Sequence, residues 1–396
     1  MKKDNSRWLR LILGCVTLLM AGVIYAWSNL RVPLKETFSQ WTEAQMQLCF
    51  TLTLCFFCLG GMLSGLIAKR VSMRARMLAA AVLVAGGFIL VAGLQGSILQ
   101  LYIGYGLMAG TGIGIVYNVV IAATNAWFPD RKGIASGALM MAFGFSALLF
   151  GKLGGALFPE SAMGWRGTFR FFGILIGAVL AIAAFLVKVP EKPTQKAAAK
   201  AETGEEIDTA RMIRRPSFWK LFVFFTLLAA VGSTAIGFGK NFFLSVGLAD
   251  GTAATIAALL SIFNGLGRLC SGALYDQAGA RKTQMITSAI AIGAPALCLI
   301  AVLGTIPFVG IIGLSLCVFS YGFSPTVSAA LTAGFYGNKN FGLNLAVLNL
   351  DLIPASFVST LAGGLYQASG AYVSTFIVLT CMSVVGLIVN FTIKKA

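Results

Sequence analysis

Apolar stretches as long as a bilayer is thick recur twelve times in this 396-residue chain. They fall at roughly 11–30, 43–68, 77–95, 98–124, 133–157, 168–188, 218–240, 252–275, 283–303, 307–333, 341–367 and 371–393. About 20 residues of helix cross the ~30 Å hydrocarbon layer. Within lipid every backbone N–H and C=O must be satisfied inside the protein, so a spanning segment is a helix or a strand of a closed barrel. Barrel strands alternate apolar and polar residues, whereas 78–91 and 172–187 are apolar on every side. The expected fold is therefore an all-α membrane protein of twelve transmembrane helices, numbered here as spans 1 to 12.

The formal net charge of +17 raises the question of nucleic acid. The charge forms no patch; it follows the topology. Loops on the cytoplasmic side collect Lys and Arg. With the N-terminus inside, the inner segments hold Lys2, Lys3, Arg7 and Arg10, then Lys69, Arg70, Arg74 and Arg76. Arg131, Lys132, the basic residues from Lys188 to Lys220, Arg281, Lys282, Lys339, Lys394 and Lys395 follow, making 23 of the 30 basic residues. Both termini are thus expected in the cytoplasm, and no nucleic-acid partner is expected. The first apolar run lacks a small-residue cleavage site followed by a mature domain, so it reads as span 1 and not as a signal peptide. All eight Cys lie in spans. Cys55 and Cys58 share a helix face, but the chain has no His and no second pair, so apolar packing is expected there and no metal or other cofactor.

The longest polar stretch, 189–217, holds Pro190, Pro193, an Ala/Lys run and the acidic residues Glu202 to Asp208. It reads as a linker between an N-terminal half, 1–188, and a C-terminal half, 218–396, with a short helix near Ile207 to Arg214. The halves repeat each other. Gly60-Gly61-Met62-Leu63-Ser64-Gly65 ends span 2 and Gly267-Arg268-Leu269-Cys270-Ser271-Gly272 ends span 8, at an offset of 207. Trp165 to Phe169 opens span 6 and Tyr372 to Phe376 opens span 12, at the same offset. Phe128 and Lys132 match Phe335 and Lys339 likewise. A constant offset at three landmarks marks a duplication, an arrangement shared by many secondary transporters.

The segments after spans 2 and 8 carry the next clue. They read Gly65-Leu66-Ile67-Ala68-Lys69-Arg70-Val71-Ser72-Met73-Arg74-Ala75-Arg76 and Gly272-Ala273-Leu274-Tyr275-Asp276-Gln277-Ala278-Gly279-Ala280-Arg281-Lys282. Both resemble the signature of the major facilitator superfamily: a Gly, a short apolar step, an acid, then Gly and two basic residues. The second copy keeps the acid as Asp276; the first has Lys69. The resemblance implies two pseudo-symmetric six-helix halves, with Asp276, Arg281, Lys282, Arg70 and Arg74 as gating residues. A narrower resemblance covers most of the chain. Tyr25-Ala26-Trp27-Ser28, the run Trp127 to Gly137 (WFPDRKGIASG) and Asn264-x-x-x-Arg268 are similar to the oxalate/formate antiporter and monocarboxylate transporter branch. That branch implies a small carboxylate, held partly by Arg268, in the inner membrane of a bacterium. Its oxalate carriers place a lysine in span 11, where this chain has Asp351, which argues against a dianion held between two fixed cations.

An ionisable group inside a span costs roughly 2.5–3.5 kcal/mol on insertion scales and needs a reason. Lys152 and Lys240 stand near span ends, where a long stem reaches the headgroups. Arg268 and Asp351 stand deeper. Their partners in the repeat are Gly61 and Gly144, so the shared scaffold does not require either charge. Arg suits a carboxylate through its planar donor fork; an Asp can titrate. The alternative is a mutual salt bridge that serves packing. Counted from the inner helix ends, their depths differ by roughly 4.5 Å at ~1.5 Å per residue. Asn264, one turn before Arg268, and Tyr25, Tyr117 and Asn118 in spans 1 and 4 complete the expected binding set, with helix–helix hydrogen bonding as the plainer alternative for each. Gly106-x-x-x-Gly110-x-x-x-Gly114 reads as close helix packing.

These features favour a secondary carrier of a small organic anion, a mono- or dicarboxylate, working as a monomer, as proton symporter or anion antiporter. Asp351 is the candidate coupling group. The halves are expected to rock about a midplane cavity. Without His, paired membrane carboxylates or a nucleotide loop, acid–base and phosphoryl chemistry lack their parts, so an enzyme is not expected. A sensor built on a carrier fold, or a carrier of another small solute, remains the alternative.

Overall fold

The computed structural model describes residues 2–190 and 206–394. The Ala/Lys run and Glu202 of the expected linker lie outside the described residues, as does Lys395. Among the described residues the chain is helical, and eleven apolar helical stretches are long enough to cross a membrane. The stretch Asp250–Gly304 is 55 residues long and is broken at Gly279, whose φ of 78° and ψ of 172° are not helical. Only glycine takes that conformation without strain. Residues 250–278 and 280–304 are therefore separate crossings, and the twelve spans are present. Helix continues from Gly272 through Ala278, so most of the second signature copy extends span 8 where a loop was expected. Its residues have no Pro to stop the helix before Gly279.

Several spans are started by local signals. Thr42 and Gln45 form a reciprocal capping box at the start of span 2, Glu43–Ile67. Ser72 caps span 3, Met73–Ala92, through the Ala75 N–H. Pro216 and Pro307 open spans 7, Pro216–Ser245, and 10, Pro307–Tyr336, at the one helical position where a missing N–H does no harm.

By packing, the described residues fall into two compact units. Unit 1 lies within Met1–Asp130, Ala142–Glu202 and Asn340–Val347; unit 2 lies within Arg131–Met141, Thr203–Lys339 and Leu348–Ala396. The first strip of span 5, Lys132–Leu157, thus packs with the C-terminal half of the sequence. The first strip of span 11, which begins at Phe341, packs with the N-terminal half.

Within unit 1 the Gly106, Gly110 and Gly114 ladder of span 4 does face span 2. A Cβ on Gly114 would lie 2.0 Å from the Phe57 carbonyl oxygen, and one on Gly110 would lie 2.7 Å from that of Thr53. Small residues let backbones approach where lipid gives no hydrophobic drive between helices. Among the described residues three spans leave α geometry in mid-course. Span 4 passes through a π-helical stretch at Tyr102–Ala109, span 1 through a 3-10 stretch at Gly22–Ala26, and span 11 through another at Asn349–Asp351. The two 3-10 stretches each contain a residue expected to bind substrate, Tyr25 and Asp351. Irregular backbone is tolerated at membrane depth only inside protein or along a cavity.

Candidate functional site

Arg268 is the largest fully buried side chain, at 1% exposure, in unit 2. Its Nε donates to Asn264 Oδ1 at 3.2 Å, one helical turn back, and its Nη1 donates to the Met140 carbonyl at 2.7 Å. The backbone of span 8 is flanked by glycine on both sides. A Cβ on Gly137 of span 5 would lie 2.7 Å from the Arg268 carbonyl oxygen, and one on Gly322 of span 10 would lie 2.7 Å from the Arg268 nitrogen. The guanidinium is thus set among neutral oxygens by helices that cannot separate without losing those contacts. Hydrogen bonds to charged donors are the stronger kind, about twice the neutral ones.

Asp351 lies in the 3-10 turn of span 11 at 4% exposure. Its backbone carbonyl accepts from the Thr226 hydroxyl of span 7 at 3.5 Å. Among the described residues Asp351 forms no ion pair. The salt bridge weighed from the sequence is therefore not made here. One turn on, Ala355 packs with Ala229, Ala230 and Tyr321, and Tyr321 precedes the Gly322 that abuts Arg268. Tyr321 is thus the link between the two charged positions, and the sequence did not single it out. Thr326, one turn beyond Gly322, is fully buried, and among the described residues its hydroxyl meets no hydrogen-bond partner. Its signal in the sequence was weak, a hydroxyl beside the in-helix Pro325.

Unit 1 gathers the aromatic candidates. Tyr25 meets Phe143 edge-on at 5.4 Å, and Tyr117 lies 5.0 Å from Phe57 and 5.2 Å from Phe143. Asn118 faces elsewhere, since neighbours on a helix point about 100° apart. Its Nδ2 donates to the Gly342 carbonyl in the first turn of span 11. The structure therefore does not group Asn118 with Tyr25 and Tyr117.

The signature residues divide in the same way. Asp276 accepts from the Gly133 N–H at 2.9 Å and the Ile134 N–H at 2.7 Å. These are first-turn donors of span 5, which have no intrahelical partner and sit at the positive end of the helix dipole. The grip needs glycine at Gly133 and Gly272. A Cβ on either would meet the other's carbonyl oxygen at 2.2 or 2.1 Å. Arg281 donates to the Asn390 carbonyl at 2.7 Å and stands over Phe391, tying span 9 to span 12, Val373–Thr392. Lys282, Arg70 and Arg74 are exposed. In the first copy Arg76, not chosen from the sequence, makes the tie. It donates to Ser64 O and Oγ at 2.9 and 3.0 Å. Near the ends away from the basic loops, Lys240 pairs with Asp250 at 2.9 Å.

A polytopic helical protein, with a buried arginine fork in one unit and an aromatic group in the other, has the form of a membrane carrier. Known proteins agree. Residues 11–350 match the family model described as Major Facilitator Superfamily, and the chain belongs to that family of transporters. It is 27% identical over 344 residues to an oxalate:formate antiporter of Oxalobacter formigenes, covering 85% of this chain and 80% of the relative. It is 25% identical over 346 residues to monocarboxylate transporter 12-B of Danio rerio, covering 79% and 71%. Among solved structures, the proton:xylose symporter XylE matches with a TM-score of 0.77 at 16% identity, covering 99% of this chain and 97% of that one. The transporter FucP in the outward conformation matches at 0.72 and 16%, covering 99% and 100%. At that identity the two structures speak for the fold alone.

Proposed function

We propose that the protein is a secondary active transporter of a small organic anion, a mono- or dicarboxylate, working by alternating access as a proton symporter or an anion antiporter. The observation that carries this reading is Arg268, a fully buried, permanently charged fork oriented by Asn264 and Met140. Its counterpart in the repeat is Gly61, so the fold does not need the charge. A guanidinium matches a carboxylate in charge and in planar shape. Tyr25 and Tyr117 supply aromatic surface for the carbon skeleton. Asp351 takes up a proton as substrate enters, which relieves repulsion between two negative groups and couples entry to the proton gradient. The relatives named for oxalate, formate and monocarboxylates support the same solute class. The basic loops support an orientation with both termini in the cytoplasm; we place the carrier in the inner membrane of a bacterium, where it acts as a monomer.

Purified protein titrated with short mono- and dicarboxylates should gain thermal stability with selected members, because a ligand that binds only the folded state stabilises it by mass action. Sealed vesicles should then accumulate or exchange the same compound. Selective binding without any transport would instead identify a sensor. No stabilisation by any carboxylate would remove the proposed solute class.

A further inference from the structure

The two signature copies differ at the acid. In the second, Asp276 grips the opening N–H groups of span 5. In the first, the matching position is Lys69, which is exposed. The turn that leads into span 11 nevertheless meets a carboxylate. Glu206, from the last stretch of the linker, accepts from the Lys339 N–H at 2.8 Å and the Asn338 N–H at 3.3 Å. Gly337 makes this possible with a φ of 80°, and a Cβ there would lie 2.5 Å from Glu206 Oε2.

The residues after Glu206 are fastened to the same place. Ile207 donates its backbone N–H to the Tyr336 carbonyl at 3.1 Å and is 1% exposed. Asp208 caps the helix Thr209–Arg214 through the Arg211 N–H at 2.9 Å. Met212 is fully buried, and Ser217 Oγ lies 3.1 Å from the Tyr336 hydroxyl. This is more anchorage than a connecting strand needs. It converges on the turn from which residues 340–347 depart to pack in unit 1.

We propose that Glu206 does for span 11 what Asp276 does for span 5. The linker's last turn then replaces the acid that the first signature copy lacks, and it is a working part of the inner gate. Glu206 is a positioning residue: it touches no substrate and acts by fixing where span 11 begins. A carboxylate on the free backbone N–H groups of the turn just before Phe341 satisfies donors that would otherwise need water, and so fixes where the helix begins. Releasing it frees the first turns of span 11, where Gly342 is bonded to Asn118 and Leu343 is packed against Gly65. In a carrier that alternates, the intact Glu206 contact therefore biases the chain toward the state in which span 11 is held, and its loss biases the chain away from it. The inference rests on the alternating-access reading but not on the identity of the solute.

The test needs no substrate. Hydrogen exchange of the full chain in nanodiscs reads the amides of 338–348. Alkylation of a Leu343→Cys reporter by a membrane-impermeant maleimide, in a chain with its native cysteines replaced, reads the release of span 11. Glu206→Gln should speed both by about tenfold, the scale of a lost charge-assisted bond. Glu206→Asp should fall between, and Gly337→Ala, which displaces the carboxylate, should reproduce the effect. If Glu206→Gln lowers the melting temperature but leaves exchange and alkylation of 340–348 unchanged, Glu206 only fastens the linker and the proposal fails. If that variant does not fold, the wild-type chain still decides: amides of Asn338 and Lys339 exchanging as fast as an open loop overturn the proposal, and strong protection matched by a faster Glu206→Asp supports it.

Discussion

Residues 131–141 and 340–347 occupy matching places in the repeat, and each packs in the unit formed mainly by the other half of the sequence. Their fastenings differ. The strip 131–141 is held in unit 2 by two charged groups: Asp276 takes the N–H groups of Gly133 and Ile134, and Arg268 takes the Met140 carbonyl. The strip 340–347 meets unit 1 through a neutral amide, Asn118 on Gly342, and through packing of Leu343 and Ala346 against Gly65 and Gly61. Even the amide breaks the symmetry, since position 118 is matched by Pro325, which has no side-chain donor. Charged side chains thus hold the strip 131–141 itself, whereas at the other strip the charged contact, from Glu206, falls on the turn before it. The helix contacts that glycine permits belong to the fold.

The largest effect that would sharpen this contrast is expected at Asp351. Asp351→Asn should abolish proton-driven accumulation in liposomes while leaving substrate exchange in place. Accumulation at full rate in that variant would remove Asp351 as the coupling group. Next comes Arg268→Lys, which keeps the charge but loses the fork to Asn264 and Met140. Apparent affinity for the carboxylate should fall about 10- to 100-fold, matching the ~1.5–3 kcal/mol of a hydrogen bond to a charged group. Uptake with unchanged half-saturation would end the anchor role.

A smaller change separates scaffold from chemistry. Asp276→Asn should weaken the hold on span 5 by about 1–2 kcal/mol and speed hydrogen exchange of residues 133–136, because a charge-assisted pair becomes a neutral one. Equal exchange in both proteins would show that the glycine contact alone holds the strip. The glycines themselves give a comparison that leaves every charge in place. Gly133→Ala should be strongly destabilising, since its Cβ would lie 2.2 Å from the Gly272 carbonyl oxygen. Gly61→Ala should change the melting temperature little, since its Cβ finds its nearest neighbour at 3.5 Å. If both substitutions act alike, the two strips are fastened alike and the contrast drawn from the charges is wrong.

Alternating access gives a further check. Cysteines placed at Asn264 and Asn118 should label from one side of the membrane at a time. Labelling from both sides at once, or from neither under any condition, would count against it.

The twelve spans, the repeat and the candidate charges could be read without a structure because each is a local or periodic property. A run of apolar residues must span lipid wherever it stands, and a buried Arg or Asp is expensive whatever surrounds it. Such signals could not say which helix meets which. Arg268 and Asp351 were counted to similar depth, but only the packing shows Tyr321 and Gly322 between their helices and no ion pair at Asp351. Asn118 was taken as a ligand by its span and residue type, yet its amide turns to Gly342, a partner 224 residues away. Arg76 stood in the first signature copy, Glu206 in the acidic end of the linker and Thr326 beside Pro325, but nothing in residue type or spacing singled them out within those segments. Their roles arise from where the chain returns to meet them. Distances between segments far apart in sequence are set by tertiary packing, and a hydrogen bond, which lives or dies within a few tenths of an ångström, exists only once that packing is fixed.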